Sequence, residues 1–572
     1  MNRPGGGSRR HRRPPDRRRR CGIRAALVAS HQPMRTAASL TTGVVAVVML
    51  AILGGLFGGQ ALARQDEMAR QFDAFASAIA LIEANYVDDV EVEQLVSRAV
   101  GGMLQTLDPH SSYMDARSYA RLRERQEGRY YGLGISINVI NGRITIQSLF
   151  EGSPAYRAGL RRGDVIARIE GDNAIGMSSD QAVGRLRGPR GTSVNISIER
   201  PGYDDLIDLA VERDEINIAT VEAAFMVDDV TAYVRLGDFA ETSNEELTRA
   251  LASLRAEGFA RLMLDLRGNP GGPLDQAIEV SNQFLPNGDM IVYTRGRVAN
   301  SDQDYFAREA GEYTDQPLIV LVNRNSASAS EIVAGAVQDH DRGLVVGETT
   351  FGKALVQSIF RVSHGAGLAL TTARYFTPSG RMLQRPWDAA FDEYLTYSLR
   401  EPEAPNRIPA DRKLTDAGRE VYSGGGVEPD HFLTGPIAGF DPSRFGRLLS
   451  ARRDFVSFAQ RFSAAGDTRV SLEGADRVVV DRGFVIDDAM LADFKAHVEE
   501  RGLTVDEEAF AADLDFIRAM IHYEIDTDLF GEMEARRRLF DYDPQAQYAL
   551  TLFDEAEALL LLGDAATAVA AQ

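Results

Sequence analysis

Residues 318–339, LIVLVNRNSASASEIVAGAVQD, place an apolar run, a serine-rich turn and a helix pattern in succession. The run Leu318–Val322 is apolar at every position, which predicts a strand buried on both faces. The stretch Ala329–Asp339 predicts a helix. Strands and helices alternate around this unit, with strands predicted at Val230–Leu236, Leu262–Leu266 and Leu344–Val346 and helices at Glu245–Glu257 and Asp275–Phe284. This alternation is typical of an α/β fold, and we assign the core to residues 213–433.

The turn between this strand and helix carries three serines, Ser326, Ser328 and Ser330. A serine at a helix N-terminus meets unpaired N–H groups and the positive end of the helix dipole, which favour a developing negative charge. Such a position suits a nucleophilic hydroxyl. The turn also has a purely structural explanation, because Ser328 followed by Glu331 matches a capping box. The turn alone does not show whether a serine here is a nucleophile or only caps the helix, nor which of the three serines would be the nucleophile.

Lysine is rare in this chain, because the 63 Lys and Arg residues include only three lysines, at positions 353, 413 and 495. Lys353 lies in the glycine-flanked stretch FGKALVQ, residues 351–357. Arginine stays protonated and cannot act as a base, whereas a buried ammonium gives up its proton readily. The pattern suggests a Ser–Lys hydrolase, although codon bias would also make lysine scarce. A base at this position needs its pKa lowered from about 10.4 to near 7–8, roughly 4 kcal/mol, which burial against the apolar residues 354–356 can supply.

A second turn follows the predicted strand Leu262–Leu266 and has the sequence DLRGNPGG, residues 265–272. Glycine has no side chain, so the backbone at Gly271 and Gly272 can approach a substrate closely. Two backbone N–H groups around a carbonyl oxygen form an oxyanion hole. An ordinary tight turn uses the same residues, so this segment by itself does not establish a site.

Residues 128–212 have the pattern of a small β domain. Apolar residues alternate on both sides of an Asn141-Gly142 hairpin signal. The segment YGLGI at residues 131–135, and the segment from SPA to GD at residues 153–164, resemble a PDZ domain. In PDZ domains a glycine loop binds the carboxylate of a peptide C-terminus, and the peptide adds a strand to the sheet. The residues that the resemblance places in this loop are Gly132, Leu133, Gly134 and Ile135.

The N-terminus combines a basic run with an uncharged apolar segment at residues 37–59, followed by Ala61-Leu62-Ala63. A positive flank, an apolar stretch and a small-x-small site are typical of a signal peptide, here cleaved after Ala63, with Met34 as an alternative start. The apolar segment is also long enough to span a bilayer uncleaved. Both interpretations place the chain after residue 63 on the far side of a membrane, in the periplasm or outside the cell. It would be either free or anchored to the inner membrane.

Composition excludes several classes of function. The formal net charge of −20 argues against a nucleic-acid partner, because an acidic body repels phosphate backbones. The single cysteine, Cys21, lies in the leader at residues 1–63, so the body lacks a thiol for catalysis, disulfides or metal binding. No His-x-x-x-His pair is present, and we expect no metal and no cofactor. Residues 64–127 and 434–572 are predicted to be mainly helical, the latter with a periodic run at Ala546–Leu562.

The order of these motifs resembles the carboxyl-terminal processing peptidases, the tail-specific serine proteases. DLRGNPGG, then SASASE at 326–331, then GKALVQ at 352–357, follow one another as in that family, after a PDZ domain. Further family motifs are LDPHS at 107–111, YFTPSGR at 375–381 and GGGVEPD at 424–430. Ala354 stands where glycine is common in the family, and the extension from residue 434 lies outside the family pattern.

The resemblance implies a crotonase- or Clp-protease-like α/β core, a preceding or inserted PDZ domain, and helical segments at both ends. It assigns Ser328 as the nucleophile, Lys353 as the general base and Gln357 as the residue that orients the lysine. The residues that it places in the oxyanion hole are Ala329 and Gly271 or Gly272. The implied activity is that of an exported serine endopeptidase that cleaves proteins near their C-termini after the PDZ domain binds the tail.

Two other interpretations stay open from the sequence. A Ser–His–Asp hydrolase would need a core histidine such as His340 or His364, but the chain has no Gly-x-Ser-x-Gly elbow. A non-catalytic exported PDZ scaffold would bind protein C-termini without needing Ser328, Lys353 and Gln357. The sequence does not decide the substrate, a homodimer contact through the N-terminal helices, or an adaptor or activator protein.

Overall fold

The computed structural model describes residues 68–200, 203–387, 393–394, 396–399, 407–434, 442–465 and 478–570. The predicted leader at residues 1–63, with its apolar segment and Cys21, lies outside the described residues. None of the helices described has the length and apolar character needed to span a bilayer. The chain divides into two compact units, and the boundary between them follows Val96.

The N-terminal region is mainly helical, as its periodicity predicts. Its elements are α1 at 68–85, α2 at Val92–Gln105, β1 at Ser112–Met114 and α3 at Ala116–Glu127. The short strand β1 interrupts the helices because the Asp108 carboxylate organises the turn before it. This carboxylate accepts hydrogen bonds from the main-chain N–H groups of His110 (2.8 Å) and Ser111 (2.7 Å). Such an Asx turn before an extended segment competes with the helical hydrogen bonds.

The segment that resembles a PDZ domain forms a six-stranded antiparallel sheet. The elements here are β2 Arg129–Gly132, β3 Ile135–Ile140, β4 Arg143–Leu149, α4 Pro154–Arg157, β5 Val165–Ile169, β6 Asp172–Asn173, α5 Ser179–Leu186, β7 Ser193–Glu199, β8 Ile207–Glu212 and β9 Asp214–Asn217. The sheet order is β3-β4-β5-β7-β8, with β6 on β5, and the sheet buries Ile144, Ile166 and Val194. Strands β2 and β9 pair with each other where the chain enters and leaves this domain.

The core alternates strands and helices, as the sequence predicts. Its elements are β10 Val221–Met226, β11 Thr231–Leu236, α6 Ser243–Glu257, β12 Arg261–Asp265, α7 Leu274–Asn282, β13 Met290–Gly296, β14 Gln303–Phe306, β15 Leu318–Val322, α8 Ala329–Asp339, β16 Leu344–Gly347, β17 Leu355–Arg361, β18 Gly367–Phe376, β19 Arg412–Leu414, β20 Glu420–Tyr422 and β21 His431–Phe432. The main sheet has the order β10-β11-β12-β15-β16-β21, and its strands are parallel from β11 onward.

Strand β15 is buried on both faces, which confirms the prediction from its apolar run. Leu318, Val320 and Val322 join the apolar cluster formed with helices α6, α7 and α8. Ile319 and Leu321 join a second cluster on the opposite face of the sheet. This central strand therefore leads directly into the serine turn from the most buried part of the core.

The loop that contains Lys353 leads into a second sheet. The strand and helix patterns of the sequence do not predict this sheet. Strand β18 pairs with β17 along one edge and with β1 and β13 along the other, and β14 pairs with β13. Strand β1 precedes the PDZ-like domain and yet pairs with β18 of the core. The PDZ-like domain is therefore inserted into the core rather than placed before it.

The extension from residue 434 is mainly helical, as predicted. Its elements are α9 Arg444–Ala451, α10 Asp454–Ala459, β22 Phe462–Ala464, β23 Val478–Val480, α11 Asp488–Glu500, α12 Glu507–Ala512, α13 Leu514–Leu529, α14 Glu532–Phe540, α15 Pro544–Leu550 and α16 Phe553–Ala570. The predicted single run Ala546–Leu562 is divided between α15 and α16. The N–H of Leu552 donates to the Ala549 carbonyl (3.0 Å), a 3₁₀-type bond that ends α15.

The extension packs in two places. Helices α9–α13 enclose an apolar core of their own, whereas α14, α15 and α16 cover the outer face of the main sheet with Phe540, Ala549 and Phe553. The extension also contacts the PDZ-like domain, because Arg162 forms an ion pair with Glu524 on α13. These two side chains are 12% and 9% exposed, so the ion pair is largely removed from water. Removing only one of the two partners would leave a buried unpaired charge and lower the stability of the protein.

Candidate active site

The structure distinguishes the three serines of the turn. Ser326 and Ser330 are fully buried, and their hydroxyls donate to the main-chain carbonyls of Leu266 (2.8 Å) and Asn269 (3.0 Å). Ser328 is partly exposed and is the N-cap residue of helix α8, with a φ of +56° and a ψ of −111°. A non-glycine residue rarely adopts this conformation, and such strain is often found at functional sites. The two buried serines hold the turn together, and Ser328 is the accessible one.

Glu331 ties the serine turn to the lysine loop. One oxygen of its fully buried carboxylate accepts hydrogen bonds from the N–H groups of Ser328 and Lys353 (both 2.8 Å). The other accepts from the Gly352 N–H (2.7 Å) and the Thr350 hydroxyl (2.5 Å). Burial raises the pKa of Glu331, and the four donors oppose that effect. From its sequence position Glu331 was expected only to cap a helix, but it also joins the backbones of Ser328 and Lys353.

Tyr375 on β18 bridges the same two backbones. Its hydroxyl lies 3.1 Å from the Ser328 carbonyl oxygen and 2.7 Å from the Lys353 carbonyl oxygen. Burial raises the pKa of this hydroxyl well above its ordinary value, so it remains a donor. The motif YFTPSGR drew attention to Tyr375, but no sequence signal gave its partners.

The Lys353 amine is bound by an uncharged side chain. Nζ donates to Gln357 Oε1 (3.2 Å), and Gln357 Nε2 donates to the main-chain carbonyl of His110 (2.5 Å). Because the amide nitrogen can only donate, its bond to His110 leaves the amide oxygen facing the lysine. Burial lowers the pKa of Lys353, although the negative charges of Glu331 and Asp108 oppose this shift. The net shift is towards a lower pKa, and so towards the neutral amine that can accept a proton.

The turn at residues 108–111 lies beside the lysine. The His110 ring nitrogen Nε2 is 2.5 Å from the Tyr394 hydroxyl, and the two rings meet edge to face. Burial, and then the positive charge of Lys353, lower the pKa of His110 to about 4. His110 is therefore neutral near pH 7 and does not add a positive charge beside the amine. The LDPHS motif pointed to this segment without indicating what it contacts.

The glycine turn lies against the serine turn. At Gly271, where φ is +88°, a Cβ atom would lie 2.6 Å from the Ala327 carbonyl oxygen and 2.7 Å from the Ala329 nitrogen. The Asn269 carbonyl accepts a hydrogen bond from the Ala327 N–H (3.0 Å), which joins the two turns. The Gly271 N–H donates within its own turn to Asn269 Oδ1 (2.9 Å). Only glycine fits this close approach of two backbones.

Gly272 is equally confined, because a Cβ atom there would lie 2.2 Å from the Phe239 carbonyl oxygen. Upstream, the turn is anchored by the fully buried carboxylate of Asp265, which binds the guanidinium groups of Arg235 and Arg267. Burial acts to raise the pKa of Asp265, but the two arginines hold it well below its usual range. The glycine turn therefore leaves the sheet from a fixed charged anchor.

The two histidines considered for a Ser–His–Asp site lie elsewhere. His340 caps the opposite end of α8, about 18 Å from Ser328 at 1.5 Å per residue. Its ring is bound by Asp416 and by the Met290 carbonyl (both 2.7 Å), and these partners outweigh burial and raise its pKa to about 9. A protonated imidazole cannot act as a base. His364 is exposed in the turn between β17 and β18, so neither histidine is placed to serve Ser328.

Comparison with known proteins identifies the family. Residues 230–387 match Peptidase family S41, residues 122–199 match the PDZ domain, and residues 58–118 match the N-terminal domain of the activating protease CtpB. Over 320 residues the chain is 40% identical to the carboxy-terminal-processing protease of Bartonella bacilliformis. The aligned region covers 55% of this chain and 73% of that protein. The chain belongs to the carboxy-terminal processing proteases. The predicted family and the predicted class of enzyme, a serine peptidase, are confirmed.

Other carboxy-terminal processing proteases are similar over a comparable region. The protease CtpA of Bacillus subtilis is 34% identical over 350 residues, which cover 60% of this chain and 74% of that protein. Among solved structures, the photosystem II D1 C-terminal processing protease aligns with 54% of this chain and 89% of its own, at 29% identity and a TM-score of 0.32. The family matches and the described elements confirm an α/β peptidase core with a PDZ domain and helical terminal segments.

Replacing the Glu331 carboxylate by an amide, Glu331→Gln, is expected to disable this protease. An amide has one acceptor oxygen, so part of the four-donor set would face an NH2 group. We expect the free energy of unfolding to fall by about 2–3 kcal/mol and kcat/KM to fall by roughly 100-fold or more. Denaturant unfolding and peptide cleavage measure the two effects.

The matched control is Glu246→Gln. Glu246 also accepts four hydrogen bonds, from the main-chain N–H groups of Thr220 and Val221 and from the hydroxyls of Thr220 and Thr242. It ties α6 to residues 220–221 and not to the lysine loop. This variant should lose stability but keep the kcat/KM of the folded enzyme. Equal kcat/KM in Glu331→Gln and in the wild type would contradict the bridging role of Glu331.

Proposed function

We propose that this protease cleaves peptide bonds with Ser328 as nucleophile, Lys353 as general base and Gln357 as the residue that orients the lysine. The observation that carries the proposal is the double bridge between the Ser328 and Lys353 backbones, through the Glu331 carboxylate and the Tyr375 hydroxyl. Two segments distant in sequence are thereby held as a pair. The partly exposed Ser328 and the lowered pKa of Lys353 fit the roles of nucleophile and base.

In the proposed first step the neutral amine of Lys353 takes the proton from Ser328 Oγ as this oxygen attacks the carbonyl carbon of the substrate. A C–O bond forms, and the π electrons of the carbonyl move to its oxygen. The ammonium then gives its proton to the leaving nitrogen as the C–N bond breaks. Water hydrolyses the resulting ester with the same lysine as base. Gln357 accepts one amine N–H, which leaves the lone pair for the serine.

The oxyanion formed in these steps needs donors close to Ser328. We assign the N–H groups of Ala329 and of the Gly271-Gly272 turn to this role. Ala329 follows the nucleophile at the start of α8, where the helix dipole adds to the N–H donor. Within the glycine turn we favour Gly272, because the Gly271 N–H already donates to Asn269 Oδ1.

The PDZ domain supplies the proposed selection of substrates by their free C-termini. Strand β3 is at the edge of its sheet, so a peptide can pair with it and extend the sheet. The carbonyls of Leu133 and Gly134 accept hydrogen bonds from Ala155 and Phe150 inside the domain. We propose that the segment Gly132, Leu133, Gly134 and Ile135, which leads from β2 into β3, binds the carboxylate of the tail through main-chain N–H groups. Helix α5 would wall the pocket for the last side chain.

We infer that the enzyme acts after export, in the periplasm or outside the cell, either released by cleavage after Ala63 or anchored to the inner membrane by residues 37–59. The proposed domains are the leader at 1–63, helices at 64–127, the PDZ domain at 128–212, the peptidase core at 213–433 and the extension at 434–572. A homodimer contact and an adaptor or activator protein stay predictions. Cell fractionation, with detection by an antibody against the chain after residue 63, tests the location.

Substitution of the three serines separates the nucleophile from the structural hydroxyls. Ser328→Ala should reduce peptide cleavage at least about a thousandfold, as loss of a nucleophile does. Ser326→Ala and Ser330→Ala each remove one buried hydrogen bond, which should lower the free energy of unfolding by about 1 kcal/mol and leave substantial activity. Cleavage rates and denaturant unfolding of all three variants test this, and an active Ser328→Ala enzyme would refute the proposal.

Replacing Lys353 by arginine keeps the charge but removes the base. Lys353→Arg should lower kcat/KM by about 100-fold or more, while Lys413→Arg and Lys495→Arg remain active. In the wild type, activity should rise with pH, since the deprotonated amine is the base. The rise should be centred below the pKa of free lysine, because burial lowers the pKa of Lys353. An active Lys353→Arg enzyme would show that the lysine is only an ion-pair partner.

Amidation of the substrate C-terminus tests the role of the PDZ domain. An amide removes the negative charge and one acceptor oxygen but keeps every side chain, so cleavage should fall severalfold. Acetylation of the N-terminus of the same peptide is the control and should have no effect. Equal cleavage of the free and amidated peptides would contradict tail recognition and leave the Ser328–Lys353 chemistry unaffected.

A further inference from the structure

The guanidinium of Arg267 is saturated with acceptors, and most of them come from the C-terminal extension. Arg267 is in the glycine turn, between Asp265 and Gly271. Its Nε and one N–H of Nη2 donate to the Asp265 carboxylate (3.0 and 2.7 Å). The other three N–H groups donate to Asp543 Oδ1 (3.1 Å), Gln545 Oε1 (2.9 Å) and Asp543 Oδ2 (2.5 Å). Arginine has five donors, so every one of them has a partner.

This contact lies in a largely dry environment. The side chain of Arg267 is 12% exposed and that of Asp543 23%, while Asp265 is fully buried. Asp265 is shared with Arg235, so it cannot by itself balance the charge of Arg267. The two-point pairing with Asp543 also restricts the plane of the guanidinium, as a forked ion pair does.

We propose that Asp543 and Gln545 are positioning residues for catalysis, which act through Arg267 on the proposed oxyanion turn. The rest of this turn, Gly268–Gly272, follows Arg267 directly, and the Asn269 carbonyl accepts a hydrogen bond from the Ala327 N–H of the serine turn. A shift of Arg267 would therefore move this turn relative to Ser328, whose Cβ atom lies next to Gly271. Errors of about 1 Å in such a site lower rates by roughly 100-fold. This inference rests on the proposed function, since it assumes an oxyanion hole at this turn.

The test is Asp543→Asn in the full-length protease. Asp543 caps α15 by accepting hydrogen bonds from the N–H groups of Gln545 and Ala546, and asparagine caps a helix about as well as aspartate. The substitution therefore keeps the cap but turns a charged fork into a single acceptor. We expect kcat to fall roughly 10- to 100-fold with KM within about twofold of the wild type. The pH at which activity rises should not move, because Lys353 is untouched.

The matched control is Asp506→Asn. Asp506 caps α12 of the same extension in the same manner, through the N–H groups of Glu508 and Ala509. This variant should keep the wild-type kcat. A peptide boronic acid adds a second readout, because its tetrahedral adduct with Ser328 places an oxygen in the oxyanion hole. Its affinity for Asp543→Asn should fall in parallel with kcat, whereas the affinity of a cleaved product peptide should not change.

A double-mutant cycle with Arg267→Gln tests the route of the effect. If Asp543 acts through Arg267, adding Asp543→Asn to Arg267→Gln should lower kcat little further. Additive losses, an unchanged kcat in Asp543→Asn, or equal losses of boronate and product affinity would each overturn the proposal. If Asp543→Asn does not fold, the Gln545→Leu variant replaces it in the test. The proposal requires that Gln545→Leu lowers kcat, and an unchanged kcat in this variant would overturn the proposal. An active Ser328→Ala enzyme would instead refute the proposed function, so the two failures are distinguishable.

Discussion

The region around Ser328 and Lys353 depends on one buried carboxylate. A carboxylate removed from water is strongly destabilising unless its oxygens are bound, and Glu331 is bound by four donors from two separate segments. This requirement fixes where helix α8 begins relative to the loop that leads into β17. It also explains how Ser328 can hold a positive φ, because strain of this kind persists only where the surroundings determine the backbone. Tyr375 reinforces the same spacing from the second sheet.

The surroundings of Lys353 keep the number of charges low. Gln357 binds the amine without a charge, and His110 is neutral near pH 7 because burial lowers its pKa to about 4. The Glu331 carboxylate is directed at the main chain of Lys353 rather than at its amine. The effect of burial on the lysine therefore outweighs the two negative charges nearby. A carboxylate in place of Gln357 would reverse this balance, since an adjacent opposite charge stabilises an ammonium.

The C-terminal extension is part of the core rather than an appendage. The main sheet is apolar on both faces, and α6, α7 and α8 cover only one of them. Helices α14, α15 and α16 cover the other and bring Asp543 and Gln545 to Arg267. The same extension holds Arg162 of the PDZ domain through Glu524. One segment therefore contacts both the proposed substrate-selecting domain and the anchor of the glycine turn.

The sequence by itself determined the α/β class, the PDZ domain and the family, because these follow from local signals. The apolar run Leu318–Val322 predicted a buried strand, and the ordered motifs pointed to Ser328, Lys353 and Gln357.

Only the tertiary structure decided the contacts between segments that are distant in the chain. Glu331, Tyr375, His110 and Asp543 each form hydrogen bonds with partners far away in sequence. The second sheet was missed for the same reason, since β1 and β18 pair across the inserted PDZ domain. Periodicity and motifs report the nearest neighbours along the chain, whereas hydrogen bonds and ion pairs between distant segments form only once the layers have packed.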